Sequence, residues 1–341
     1  MALALALKYR PKTFNDLVEQ ESIKVILDYQ LKNNCIKNAY LFTGPAGCGK
    51  TTSARIFATT INNGKKNYTE LDGASNNSVD DIRKIIEEAK FKDLVSNYKI
   101  YIIDECHQLS SGAWAALLKL LEEPPAKTIF ILCTTDAQKI PNTILSRVQR
   151  YDFKRISFEG VCKRLDYILS TESLNDNITW EKEAIEYISR ISDGGMRDAI
   201  TLLDKCLAYN INLTVENVTK ALDFVDMIVM YDLTDYLYKR DVKSIIELTE
   251  KIYRDGTDIK LFSKQFLSYT LNVIKFNATN NANLTNLPNS IIDLLVDTKR
   301  AAKEDNFYIS LLEWLLKLNE LIKWETSPKA LFQANLISFI S

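Results

Sequence analysis

The stretch LFTGPAGCGKTT, Leu41 to Thr52, constrains the fold more than any other part of the chain. Gly44, Gly49, Lys50 and Thr51 satisfy the spacing G-x-x-x-x-G-K-[ST], with the apolar run AYLF just before and the helix-forming run TSARIFATTI after. Such a loop turns backbone N–H groups inward around phosphate oxygens, and the helix that follows adds the positive end of its dipole. Lys50 is then expected to neutralise the outer phosphates and Thr51 to offer its hydroxyl to Mg²⁺, with Pro45, Ala46, Gly47, Cys48 and Thr52 completing the nucleotide-binding stretch. Strand, loop and helix in that order imply an α/β domain. IYII (100–103) and TIFILC (128–133) are likewise apolar on both faces, as strands of a parallel sheet covered by helices must be.

The β-like pattern takes in YTELDG (68–73) and stops after VQRYDFKRIS (148–157). Beyond it, KEAIEYISRI, MRDAITLLDKCL and TVENVTKAL repeat apolar residues at three and four, then SIIELTEKIYR, IIDLLVDTKRAA and ISLLEWLLKLNELI do the same. The expected organisation is an α/β P-loop domain with a parallel sheet over 1–155, a small helical domain over 156–224 and an all-α domain over 225–341. Residues 156–341 read as helix throughout, except for a polar break at NATNNANLTNLPNS (277–290).

Composition narrows the function classes. Lys and Arg number 43 against 44 Asp and Glu, so contact with nucleic acid has to come from a local patch rather than a global field. Six cysteines scattered without a C-x-x-C pair, beside the single histidine His107, argue against a zinc site or a disulfide framework. The apolar start ALALAL is shorter than a signal peptide's apolar core, and no later run reaches membrane-spanning length, so a cytoplasmic location without membrane contact is expected.

The run IYIIDECHQL delivers Asp104 and Glu105 to a strand end. Beside a P-loop, a carboxylate there holds Mg²⁺, and the next one is placed to orient and deprotonate an attacking water. FILCTTD reads as a strand ending in Thr134 and Thr135, which offers a hydroxyl at a third strand end. Arg147 in ILSRVQR and Arg197 in GGMRDAI supply the positive charge that phosphoryl transfer needs, an effect of roughly 10³ to 10⁵ in rate for one such arginine. The letters Asp104-Glu105-Cys106-His107 also spell a DExH helicase motif, but that reading requires a second parallel sheet further along the chain. His107 is assigned no role and is expected to be a hydrogen-bonded structural residue.

LALKYRPKTFNDLVEQE, HQL after Asp104-Glu105, ALLKLLEEPP, CTTDAQKIPNTILSR and GGMRDAI follow one another in a fixed order. In that order and spacing the chain resembles the gamma/tau clamp-loader family of bacterial DNA polymerase III, within the AAA+ ATPases. The resemblance covers residues 1 to about 210; beyond that only the helical pattern is of suitable length. It implies an AAA+ core, a helical lid and a helical collar for oligomerisation. Tyr9, Arg10 and Pro11 would pack the adenine, and Thr135 would sense the γ-phosphate. Arg197 would reach the bound nucleotide from the lid, and Arg147 would act in trans on the ATP of a neighbouring subunit. Lys119, on the helix GAWAALLKLLEEPP, matches a lysine that relays DNA contact to the glutamate, here Glu105.

The resemblance further implies ATP and Mg²⁺ as ligands, with companion clamp-loader subunits, pentameric with delta-like and delta-prime-like chains or a homo-oligomer. A sliding clamp and primer–template DNA bound without sequence readout would be the other partners. An ATP-holding scaffold subunit of the same complex is the alternative. Where the family carries a loop with four zinc-binding cysteines, this chain has only NNGKKN (62–67), so zinc is expected to be absent. The family's Ser-Arg-Cys reads Ser146-Arg147-Val148, keeping the arginine. Where the family often has basic residues, this chain has Asn76, Asn77 and Ser78, so DNA contact there would rely on backbone N–H groups and polar side chains; Ser78 with Asp81 could instead form a capping box. Ending at Ser341, the chain is similar to the short gamma form that lacks the tau extension.

Overall fold

The computed structural model describes residues 3–89, 97–174, 177–222, 225–285, 287–298 and 306–340. The chain divides into two compact units, Met1–Asn212 and Leu213–Ser341. The expected boundary residue 224, Asn286 of the polar break and the end of IIDLLVDTKRAA lie outside the described residues.

In the first unit β1 (Ala39–Thr43), β2 (Thr69–Asp72), β3 (Lys99–Asp104), β4 (Thr128–Thr134) and β5 (Gln149–Asp152) form one sheet in the order β2-β3-β4-β1-β5, every pair parallel. The two-residue period of a strand sorts its side chains into two cores. Leu41, Tyr101, Ile103, Phe130 and Leu132 enter one; Tyr40, Phe42, Ile100, Ile102, Ile129 and Ile131 enter the other. Both faces must therefore be covered, which is why these runs are apolar without interruption. Following α1 (Leu5–Lys8), α2 (Glu21–Lys32) and α3 (Lys50–Ile61) cover the second face with Leu27, Ala54 and Phe57. On the first face, α4 (Val79–Ala89) and α5 (Ser111–Glu122) bring Ile82, Ile85, Trp114 and Leu117, and α6 (Asn142–Leu145) adds Ile144. Phe57 stands edge-on to Tyr40 with ring centroids 5.0 Å apart, a geometry favoured by the ring quadrupoles.

The same unit continues into α7 (Phe158–Glu172), α8 (Lys182–Ile191) and α9 (Met196–Tyr209), packed through Leu165, Ile168, Ile188, Ile200 and Leu203, all buried. α1 is tied to α9, with Leu5 N donating to Asp204 Oδ2 at 3.1 Å. The expectation of helix throughout needs correcting here. Thr179–Trp180 (β6) and Asn212–Leu213 (β7) make a two-stranded ribbon, with Thr179 N donating to Ile211 O at 3.2 Å. Two residues per strand are too few to show a period of two in the sequence.

The second unit is helical: α10 (Val215–Ala221), α11 (Met227–Lys239), α12 (Val242–Arg254), α13 (Ile259–Thr279), α14 (Asn289–Asp297), α15 (Phe307–Ile322) and α16 (Pro328–Ile340). Its core gathers Phe262, Phe266, Tyr269, Leu311, Leu315 and Phe332. Aspartates cap three of these helices, Asp226, Asp241 and Asp258 each accepting from a backbone N–H of the first turn. The polar break is shorter than expected, because α13 runs on through Asn277–Thr279 until Asn280 takes the left-handed conformation, and α14 already starts at Asn289. Among the described residues no helix is long and apolar enough to cross a membrane.

Candidate functional site

The carboxyl ends of β1, β3 and β4 lie side by side, and the loops after them carry the predicted chemistry, as expected for an open parallel sheet. After β1 the chain must turn sharply without meeting β5. Gly44 does so at φ +145°, where a Cβ would stand 2.3 Å from Phe153 O. Gly47, at φ +70°, lets the loop touch the turn before α9: its carbonyl accepts from Met196 N at 3.1 Å, and a Cβ there would lie 3.0 Å from Gly195 Cα. Lys50, buried at the start of α3, donates to Gly44 O at 2.8 Å and Pro45 O at 2.7 Å. Its ammonium is thereby held inside the loop rather than released to solvent.

A cavity of about 420 Å³ opens over this loop. It is lined by the predicted Tyr9, Arg10, Pro11, Ala46, Gly47, Cys48, Gly49, Lys50, Thr51, Thr52, Asp104, Glu105 and Arg197. Pro45 and Ala46 also line a neighbouring cavity of about 400 Å³. Thr51 Oγ1 donates to Asp104 Oδ2 at 2.7 Å, so the hydroxyl and the carboxylate expected to share a divalent cation already converge. Burial pushes the Asp104 carboxyl above its ordinary range, against the pull of that hydrogen bond. The positive-φ glycines, the inward lysine and this oxygen pair fit a triphosphate with Mg²⁺.

Glu105 sits at φ +44°, in the left-handed region that a non-glycine residue rarely adopts. Its Oε2 accepts from Thr135 Oγ1 at 2.9 Å. Thr135 therefore joins the site through the glutamate and is not among the residues lining the cavity. His107, expected to be only structural, makes the predicted kind of hydrogen bond, Nδ1 to Thr134 Oγ1 at 3.1 Å, but the same nitrogen also stands 3.3 Å from Glu105 Oε2.

Several residues at the cavity carry no sequence motif. Arg164 of α7 donates to Tyr9 O at 2.8 Å and lies over the Tyr167 ring, 5.2 Å from its centroid. The Tyr9 hydroxyl donates to Glu172, and with burial as the larger cause its phenol is pushed up to about 12. Arg55 of α3 is clamped by Glu70 of β2 with Nε–Oε2 at 2.7 Å. Burial, then the charges of Arg55 and Arg197, depress the Arg10 guanidinium, so the cavity wall is a crowd of cations that an anion would relieve. The spacing of Arg164 and Tyr167 along one helix was the only available signal for the first of these.

Arg147 is absent from the cavity lining. It follows α6, donates to Thr143 O at 2.7 Å and to Ser146 Oγ at 3.0 Å, and pairs with Glu122 Oε1 of α5 at 2.7 Å. Lys119, also on α5, is exposed and makes no hydrogen bond or ion pair with Glu105. Ser78 and Asp81 do form the reciprocal cap, Asp81 N to Ser78 Oγ at 3.2 Å and Ser78 Oγ to Asp81 Oδ2 at 2.6 Å. Asn76 Nδ2 donates to Asp72 O at 3.1 Å, and the Asn77 carbonyl accepts from Ser110 N at 3.1 Å.

Known proteins bear on this geometry. Three family models match: DNA polymerase III, delta subunit, over 72–157; DNA polymerase III clamp loader subunit, ATPase lid domain, over 160–211; and DNA polymerase III subunits gamma and tau domain III over 213–306. The DNA polymerase III subunit tau of Bacillus subtilis is 34% identical over 98% of this chain and 62% of its own length. The subunit gamma of Buchnera aphidicola from Acyrthosiphon pisum is 34% identical over 74% of this chain and 75% of its own. The chain spans 62% or less of the first three curated relatives it matches. A solved RuvB Holliday junction branch migration motor of Thermotoga maritima shares the fold, with TM-score 0.52 and 18% identity over 73% of this chain and 86% of that one. A short relative matched over three quarters of its length, and family models that together run from residue 72 to residue 306, lead to one assignment: the chain belongs to the gamma/tau family of DNA polymerase III subunits.

Proposed function

We propose that this chain is an ATPase subunit of a replication clamp loader: ATP binding in an assembly of such subunits opens a sliding clamp, and DNA-stimulated hydrolysis releases the clamp onto primer–template DNA. The observation that carries this reading is the cavity in which the P-loop, Asp104 and Glu105 meet Arg197, while Arg147 is held elsewhere by Glu122.

Lys50 and the loop N–H groups bind the phosphates, Arg197 reaches them from α9, and Tyr9, Arg10 and Pro11 close over the base. Mg²⁺, held through Thr51 and Asp104, would neutralise charge developing on the phosphate oxygens. Glu105 orients and deprotonates water, with Thr135 fixing one of its oxygens. An Arg147 outside its own cavity is suited to the ATP of a neighbour, which makes efficient hydrolysis a property of the assembly. Asn76, Asn77, Ser78 and Lys119 are the candidates for DNA contact. Such contacts go to phosphates without base readout and weaken steeply with salt. The hydrogen bonds already made by Asn76 and Ser78 leave backbone N–H groups at the start of α4 as the stronger part of that set. The partners would be companion clamp-loader subunits, including delta-like chains, and the clamp itself. Against a DExH helicase, the described residues contain one five-stranded parallel sheet and otherwise only a two-stranded ribbon.

The test is ATP hydrolysis by the assembled complex with and without clamp plus primed DNA. Stimulation by both together is expected; an unchanged rate would overturn the proposal.

A further inference from the structure

The side chain of Glu105 is held from one side only. Its backbone is fixed: Gly73, at the end of β2, donates to Asp104 O at 2.7 Å, and a Cβ on Gly73 would lie 2.7 Å from Glu105 O, so the two loops are in close backbone contact. Of the two carboxylate oxygens, Oε2 faces both Thr135 Oγ1 and His107 Nδ1, whereas Oε1 makes no hydrogen bond among the described residues.

The proton on His107 can be placed from its neighbours. Thr134 Oγ1 donates its single proton to Asp136 O at 3.1 Å and accepts from Asp136 N at 3.0 Å. Toward Nδ1 it therefore presents a lone pair, and Glu105 Oε2 presents another. A bare Nδ1 would face two acceptors and no donor, so Nδ1 carries the hydrogen and shares it between them. The ring thus bridges the glutamate after β3 to the last residue of β4, from a mostly buried position.

We propose that His107 is a positioning residue for hydrolysis, its Nδ1–H fixing Oε2 of Glu105 so that Oε1 is the oxygen that meets the attacking water. In that step a water O–H bond breaks and its proton passes to Oε1. The electron pair left on oxygen forms the bond to the γ-phosphorus, and the β–γ bridging oxygen leaves with its pair on ADP. The inference rests on the ATPase reading above and adds the atom of the glutamate that acts.

The experiment compares His107→Leu, His107→Asn and His107→Gln in the assembled complex with clamp and primed DNA, measuring nucleotide affinity and single-turnover hydrolysis separately. An asparagine amide can stand where Nδ1–H stands; a glutamine amide reaches one bond further. Loss of an outer partner of this kind is expected to slow hydrolysis by about 10- to 100-fold in His107→Leu, with nucleotide affinity retained. His107→Asn is expected to recover most of the rate and His107→Gln to recover little. Wild-type hydrolysis by His107→Leu, or equal loss of affinity and rate in all three, overturns the proposal. Should His107→Leu not fold, equal rates for the asparagine and glutamine variants overturn it. A wild-type complex without stimulated hydrolysis removes the ATPase reading and this inference together. Activity abolished by Glu105→Gln but indifferent to every change at His107 removes this inference alone.

Discussion

Replacing Gly47 by alanine tests whether the P-loop and the turn before α9 are built to touch. At φ +70° an alanine is strained by about 1 kcal/mol. Its Cβ would also lie 3.0 Å from Gly195 Cα and 3.2 Å from Gly195 C. Both are backbone atoms, so no side chain can rotate away, and the turn has to retreat by a few tenths of an ångström. The Met196 N to Gly47 O bond, already 3.1 Å long, then stretches or breaks, a loss of about 1 kcal/mol. Together these amount to about 2 kcal/mol against the arrangement in which Lys50 and Arg197 line one cavity. A nucleotide that needs both should bind roughly 30-fold more weakly. Gly64→Ala is the matched control: φ is +85°, and nothing lies within 4 Å of the added carbon. That variant should share the strain, a few degrees in Tm for a unit of this size, and keep its affinity. Titration with a fluorescent ATP analogue and a thermal melt on both variants decide the matter. Equal affinity in Gly47→Ala and Gly64→Ala would refute the reasoning.

Two further outcomes are expected. Arg147→Ala should leave ATP binding by its own subunit nearly intact while lowering stimulated hydrolysis by about 10³-fold or more; loss of binding in the equilibrium titration would place that arginine in its own site. Glu172→Gln should narrow its deficit in Tm at low pH. Burial alone would raise this carboxyl, but hydrogen bonds from Lys8 and Tyr9 outweigh it and hold it below its ordinary value. A depressed carboxylate stabilises the fold above roughly pH 4.5 and loses that contribution as pH falls. With Lys8 nearly half exposed, the pair is worth about 1 kcal/mol or less. Melts at pH 7 and about pH 3.5 should therefore differ in the gap between wild type and variant, and a gap that widens in acid would count against the assignment.

What was legible in the sequence follows from where the information is local. β1, β3 and β4 are buried on both faces, and an uninterrupted apolar run is the trace that such burial leaves. The P-loop was legible because glycine at φ +145°, +70° and +101° is a backbone requirement written into the residue itself. β5 was legible only as the end of a pattern, because QRYD at the sheet edge buries one residue in four. The approach of His107 to Glu105 was not legible for a different reason. Its partners, Thr134 at the end of β4 and Glu105 just after β3, approach one another only through the parallel register of those strands, Ile103 beside Leu132. No spacing along the chain encodes that distance. The contacts of Arg164 and Glu172 with Tyr9 were unreadable likewise, since both reach the N-terminal segment from a helix more than 150 residues away.

Under the proposed function, the position of Arg147 would connect the cavity to the assembly. Its partner Glu122 closes α5, whose other exposed charge toward the end is Lys119. Both side chains of the ion pair are at least a third exposed, so the pair is worth at most about 1 kcal/mol. The bonds to Thr143 O and Ser146 Oγ keep the guanidinium extended from α6 without enclosing it. An arginine needed by its own nucleotide would have to leave these partners and cross to a cavity it does not line. One destined for a neighbour's phosphate is better served by a weak, exposed hold that a more strongly charged anion can outbid. A shift of α5 on DNA contact would move Glu122 and alter that hold directly. Under the proposed function, the helix carrying Lys119 can therefore influence hydrolysis through the arginine it tethers, without any contact to Glu105.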